Sequence, residues 1–141
     1  MVVCLWSACD SGTTAERALI GSWSNVDLQV LVNQGNPSDS GYQFLVPEGE
    51  WENTLNIKPI ITEFKRNGIY NSEYRSLEDS LIRKTEGQWR IMGDTLSLIE
   101  DGTVNRYHMK FTGDRVTFTG WLDWDQDGDT DDLYSGKQQK I

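Results

Sequence analysis

From residue 57 onward, apolar and polar positions alternate with a period of two, and a turn signal arrives about every ten residues. In "IKPIITEFK", Ile60, Thr62 and Phe64 share one face. Asn67-Gly68 follows, the strongest short hairpin signal a sequence offers. "IYNSEYR" places Tyr70 and Tyr74 together. "LIRKTEGQWRI" is a longer strand in which Gly87 predicts a bulge. "TLSLI" sets Leu96 and Leu98 out of phase with their polar neighbours. "VNRYHMKF" alternates through Tyr107, Met109 and Phe111, and "VTFTGWL" through Val116, Phe118 and Gly120. Gly93-Asp94 and the "TGD" at 112–114 supply turns, and "LYSGKQQKI" is a last short strand.

The chain before residue 57 is less regular. "TAERAL" (14–19) predicts one or two helical turns, and "GSWSNVDLQVLV" a long first strand with Val26, Leu28, Val30 and Val32 on one face. Residues 33–56 form a connection of a length that is uncommon in a compact domain and often functional. Its second half, "YQFLVPEGEWENTLN", is either an extra strand or a short helix begun by Pro47 with Trp51 and Leu55 on one face. The expected fold is therefore all-β: eight antiparallel strands in up-and-down order, closed into a barrel that leaves no sticky edge, with a short N-terminal helix. If the first strand starts at the closed end, the turns at 66–68, 93–94 and 112–114 gather there. The connections 33–56, 76–79, 100–102 and 123–132 gather at the open mouth.

Composition narrows the field of functions. The chain has 141 residues and a net charge of -9, and six of its acidic residues stand in "DWDQDGDTDD" (123–132). The acidity is therefore local, and no basic run exists to suggest nucleic acid or an anionic lipid surface as partner. No stretch approaches the roughly 18–20 apolar residues of a membrane span. Both cysteines, Cys4 and Cys9, precede the domain and cannot staple it.

The stretch "MVVCLWSACDSG" resembles the tail of a bacterial lipoprotein signal, because Leu5-Trp6-Ser7-Ala8-Cys9 is similar to a lipobox with Cys9 as the lipidated residue. Trp6 departs from the usual aliphatic or small residue. The apolar run is short and lacks a basic start, as though translation begins upstream of Met1. The other reading is an ordinary N-terminal segment. Either way, residues 1–13 are set aside as signal remnant and tether, and 14–141 as the domain.

The acidic stretch carries the clearest chemistry. A D-x-D-x-D-G spacing places Asp123, Asp125 and Asp127 as oxygen ligands at positions one, three and five of a calcium loop, with Gly128 permitting the sharp turn at six. Asp129 would offer its carbonyl at seven, and Asp131 would complete the shell at nine. Position twelve is Tyr134 instead of a bidentate Glu, so the loop is closer to the D-x-D-x-D-G-x-x-D loops that cap β-hairpins of extracellular proteins. Asp132 would add a further carboxylate. The alternative is a solvated acidic hairpin tip. Calcium is the expected cofactor, since magnesium prefers a rigid octahedron and keeps its waters.

"LIGSW" (19–23), following a short helix and opening the first strand, looks like the Gly-x-Trp start of the lipocalins, in which the tryptophan packs across the closed end of the barrel. With "TEF…NGIY…Y" and "GQWRIMGDTLSL", the order of motifs over roughly residues 15–141 is similar to the lipocalin-like domains of small bacterial lipoproteins. The chain lacks the later arginine-bearing and disulfide features of true lipocalins. The resemblance implies an eight-stranded barrel, a hydrophobic ligand and a lipid-anchored place in the cell envelope, facing the periplasm or the exterior.

Tyr42, Phe44 and Trp51 in the long connection and Trp121 and Trp124 beside the acidic loop are the candidate ligand-binding aromatics at the mouth. Packing against the barrel end is the other reading of Trp121 and Trp124. His108, the only histidine, points outward from its strand, and no Ser-His-Asp arrangement is present, so an enzyme is not expected. The leading expectation is a calcium-stabilised envelope lipoprotein that binds a small apolar ligand. The alternative is a filled barrel that meets a protein or glycan. Membrane contact is expected only through the lipid anchor.

Overall fold

A computed structural model describes residues 13–34 and 41–141. The lipobox-like stretch with Cys9, and the 35–40 part of the first long connection, lie outside the described residues. Two short helices and nine strands are present among the described residues. They are α1 (Thr14–Leu19), β1 (Gly21–Val32), β2 (Tyr42–Val46), α2 (Trp51–Leu55), β3 (Ile61–Phe64), β4 (Ile69–Arg75), β5 (Leu81–Met92), β6 (Thr95–Glu100), β7 (Thr103–Thr112), β8 (Arg115–Leu122) and β9 (Asp132–Lys140).

Each strand from β3 to β9 pairs antiparallel with the next, β1 pairs with β3, and β1 closes the ring by pairing with β9 from Trp23–Lys140 to Leu31–Leu133. The result is an eight-stranded closed barrel. The ninth strand, β2, lies outside that count. It continues the edge of β1 above β3, from Leu28–Val46 to Val32–Tyr42. Both sequence readings of residues 42–56 are thus realised in succession, a strand and then a helix.

Alternation decides which side chains enter the barrel, with one exception in β1. Trp23 and Asn25 are buried, and so are Leu28, Val30 and Val32, although the two sets are out of phase. A bulge between Asn25 and Asp27, in the register with β9, absorbs Val26 and restores the inward phase. Val26, expected on the face of Leu28, is instead the bulged residue. Gly87 departs from expectation too. The register of β4 with β5 runs through it unbroken, and its missing Cβ makes room for Tyr70, whose ring carbon Cε1 would lie 2.7 Å from such an atom.

The closed end is the better-filled one. Helix α1 opens with a capping box, in which the Thr13 hydroxyl accepts from Glu16 N–H and the Glu16 carboxylate accepts from Thr13 N–H. Thr13 therefore belongs to the domain as the helix cap. The Trp23 indole donates to the Leu19 carbonyl at 2.8 Å. Lys140 donates to the carbonyls of Ala18 and Ile20 and stands 5.2 Å from the Trp23 ring centre. Above this plug pack Phe64, Trp89, Leu96, Met109 and Val116. The tight turns at Gly68, Gly93 and Gly113, all at positive φ, lie at this pole; the other holds the short Asp101-Gly102 turn and the longer connections 76–80 and 123–131.

Candidate functional site at the barrel mouth and interior

The acidic loop joins β8 to β9 at the open end, and its carboxylates divide into two groups. Asp123 and Asp132 hold the loop together. Asp123 accepts from the N–H groups of Asp127 at 3.0 Å and Gly128 at 3.1 Å. Asp132 is fully buried and accepts three backbone donors: Asn33 at 2.8 Å, Trp124 at 2.7 Å and Asp125 at 3.1 Å. Burial alone would raise the Asp132 carboxyl, but these N–H groups more than offset it and hold it below the usual range. Asp132, read from sequence as an extra or supporting carboxylate, is the brace that ties the loop to the end of β1.

The second group has nothing to bond. Asp131 is only 8% exposed, yet neither of its carboxylate oxygens has a partner among the described residues, and Oδ1 of Asp125 is equally bare. Burial pushes the Asp125 carboxyl up to about 6, with the like charges of Asp127 and Asp132 adding to the effect. Asp131 is raised for the same reasons in the same order. Three overlapping sets of carboxylates each lie within 4.8 Å of one another: Asp123, Asp125 and Asp127; Asp125, Asp131 and Asp132; Asp127, Asp129 and Asp131. Gly128 makes the turn that the spacing demanded, at φ 97°, and Gln126 adds a second left-handed residue at φ 59°. All five sequence candidates for metal ligation are therefore brought into one cluster.

The loop is joined to the barrel interior through Trp124. Its ring packs 5.8 Å from Phe44 of β2 and 6.2 Å from Tyr134 of β9, and Tyr134 in turn packs 5.8 Å from Tyr107 of β7. Phe44 and Trp124 thus pack together at the mouth, and Tyr42 stays there exposed. The other two aromatic candidates do not join them. Trp51 is 4% exposed and sits in a cluster with Leu28, Val30, Val32 and Val46, because β2 carries the chain away from the mouth alongside β1. Trp121 falls in the outward phase of β8, between the inward Gly120 and Leu122, and faces away from the interior.

Below the mouth lies a cavity of about 170 Å³. Its walls include Tyr70, Tyr74, Tyr107 and Tyr134, with Asn25 and Gln138 between them. A vestibule of about 450 Å³ shares Tyr70, Ser72, Tyr74, Leu98 and Tyr107 with it and opens past Glu100 and Asn105. Some of the polar wall is internally satisfied: the hydroxyls of Thr62 and Ser72 bond each other at 2.8 Å, and Tyr70 donates to Glu100 at 3.2 Å. Gln138 Oε1 is buried and has no partner among the described residues. Burial pushes the Tyr107 phenol up to about 12 and raises those of Tyr70 and Tyr134 further, so all three are neutral donors at physiological pH.

The alternation grouped Tyr70 with Tyr74 and put Tyr107 on a strand face, but it assigned no site role to them, to Tyr134 or to Gln138. One signal was present. Gly87 and Gly136 stand mid-strand in the inward phase, where a missing side chain marks a close approach. A Cβ at Gly136 would lie 2.5 Å from the Tyr134 hydroxyl, as one at Gly87 would meet Tyr70.

No protein-family model matches the chain, and no curated protein matches it. Among solved structures, it is similar to a lipocalin-like protein from Bacteroides uniformis, with a TM-score of 0.50 and 9% identity, covering 88% of this chain and 99% of that one. The fold is lipocalin-like. At that identity the likeness concerns the lipocalin-like barrel and its helix alone; the cavity and the loop are read from this chain's own residues.

Proposed function

We propose that the protein is a lipocalin-like binding protein of the bacterial cell envelope that holds a small, single-ring molecule bearing hydroxyl or amine donors. The observation that carries this reading is the bare Gln138 acceptor in a cavity walled by four tyrosines. A buried acceptor left without a donor is costly, so a ligand that supplies one gains where water is excluded. The cavity volume is close to the ~150 Å³ that admits benzene in an engineered apolar cavity. The walls combine these phenols and amides with Ile60, Phe64, Leu96, Leu98 and Phe118, so they suit an apolar ring that carries polar substituents.

The anchor in this reading is Cys9, which carries the lipid. Each buried CH₂ of an acyl chain adds about 0.8 kcal/mol of membrane affinity, and several chains hold the domain firmly. No helix among the described residues is long and apolar enough to cross a membrane.

One observation favours a second reading, a module that meets a protein or glycan. Leu31, Leu133 and Trp121 stand in register across the outer face of β1, β9 and β8, and Trp121 is 51% exposed. A thermal-shift screen of monosaccharides and substituted phenols separates the two. Ligand binding in the barrel predicts stabilisation that Gln138→Leu abolishes and Trp121→Ala spares. The opposite dependence, or no stabilisation from any compound in either class, removes the cavity reading.

A further inference from the structure

The loop at 123–131 contains a feature that an acidic hairpin tip does not require. Carboxylates kept for solubility point to water. Asp131 instead turns its side chain inward, with both oxygens bare, into the space bounded by Asp125, Asp127, Asp129 and Asp132. Among the described residues, no hydrogen-bond partner and no ion pair compensates it. The ion pairs formed by Lys58, Arg75, His108, Arg115 and Lys137 all lie elsewhere. Five backbone donors of the loop are directed to other carboxylates: Trp124 and Asp125 to Asp132, Asp127 and Gly128 to Asp123, and Asp129 to Asp127.

We propose that this space is a calcium site whose central ligand is Asp131, with Asp125 and Asp127 completing the carboxylate set, Asp129 at its rim, and Asp123 and Asp132 serving as its frame. The geometry suits that ion. Asp131 belongs to two of the close carboxylate sets, one with Asp125 and Asp132 and one with Asp127 and Asp129, so it is the residue that joins Asp125 and Asp127 to a common centre. Calcium accepts a flexible shell of oxygen ligands, which a ring of turn residues can supply, whereas magnesium demands a rigid octahedron and keeps its waters. The assignment differs from a simple reading of the D-x-D-x-D-G spacing. Position one, Asp123, spends both oxygens on the turn, and the ninth position becomes the pivotal one.

The site also has a built-in reporter. Trp124 lies between the frame residue Asp123 and the ligand Asp125, and its indole packs onto Tyr134 at the top of the cavity. Terbium, which replaces calcium among oxygen ligands, should therefore luminesce when the tryptophan is excited. The signal should be displaced by calcium at about 10⁻⁴–10⁻³ M and hardly by magnesium. Thermal unfolding supplies the second arm. At 10 mM calcium the midpoint should rise by about 4–10 °C over the EGTA-treated protein. Asp131→Asn should lose that rise while melting, without calcium, at or above the temperature of the calcium-free parent, because it removes a bare buried charge. A purely structural Asp131 predicts the reverse, a less stable variant that keeps its calcium response. The proposal is overturned by that result, or by the absence of both sensitised luminescence and any calcium-dependent shift in the parent protein.

Discussion

Asp132 illustrates how much one side chain can hold. It stands at the start of β9, yet through three backbone donors it fixes the end of β1 and the first residues of the acidic loop. Removing it strands those three part-buried donors without their acceptor. Asp132→Ala should lower unfolding free energy by about 3–5 kcal/mol in urea denaturation, whereas Asp129→Asn, at the exposed rim, should change it by less than about 0.5 kcal/mol. Equal effects would show that the acidic residues act as an undifferentiated charge cluster. Spacing alone put Asp123 first among the ligands and offered Asp132 as a further carboxylate. It could not separate brace from ligand, because that depends on which backbone N–H groups the fold turns toward each carboxylate. Gly87 is the opposite case. Its place was legible but its meaning was not: a bulge and a close approach leave the same gap in a sequence. Gly87→Ala should cost about 1–3 kcal/mol, since a Cβ there would lie 2.5 Å from the Ile99 carbonyl oxygen and would displace Tyr70 from the cavity wall.

At the scale of elements, the alternation in β4 to β9 was strong enough to define each strand within a residue or two, whereas β3 begins at Ile61, well inside the stretch that opens at Ile57. The turns were marked by Asn67-Gly68, Gly93 and Gly113 because only residues tolerant of positive φ serve there. The bulge in β1 was hidden for a physical reason. Val26 is apolar and continues the period of Leu28, Val30 and Val32, so only Trp23 in the opposite phase betrays the slip. Helix α2 was ambiguous because it has little local support. It is five residues long, its N-cap Glu50 makes no side-chain capping bond, and it ends on the left-handed Asn56. Tertiary burial of Trp51 holds it in place. Trp51→Ala should therefore cost about 3–5 kcal/mol and release β2 and α2 ahead of the barrel. Hydrogen exchange would register this as early loss of protection over 42–56, with protection retained in β4 to β9. Simultaneous loss across all strands would contradict it.

For the whole molecule, the division between a filled closed end and a hollow open end follows from what each layer contributes. Near α1 the inward positions hold Trp23, Phe64, Trp89 and Met109, which fill the eight-stranded cross-section. Higher up, Asn25, Ser72 and Gln138 are too small or too polar to do so, and tyrosines ring the remaining space. Periodicity names the inward residues of each strand, but a void depends on the summed volumes from all the strands at one level, which no single stretch of sequence displays. The buried phenols make the barrel's response to alkali distinctive. Because Tyr70, Tyr107 and Tyr134 are raised in the folded state, the stability they confer is fully present below pH 10 and is lost as the pH rises toward their folded values. Phenolate absorbance should appear for these three together with loss of the near-ultraviolet circular dichroism. Their ionisation near pH 10 with the barrel intact would show that they are not enclosed.

The most direct test of the binding account is native mass spectrometry of the protein purified without denaturant from its own host, beside the Gln138→Leu variant prepared identically. The account predicts a small-molecule adduct of single-ring size on the parent chain and none on the variant. A bare parent chain, or an adduct carried equally by both, would contradict it.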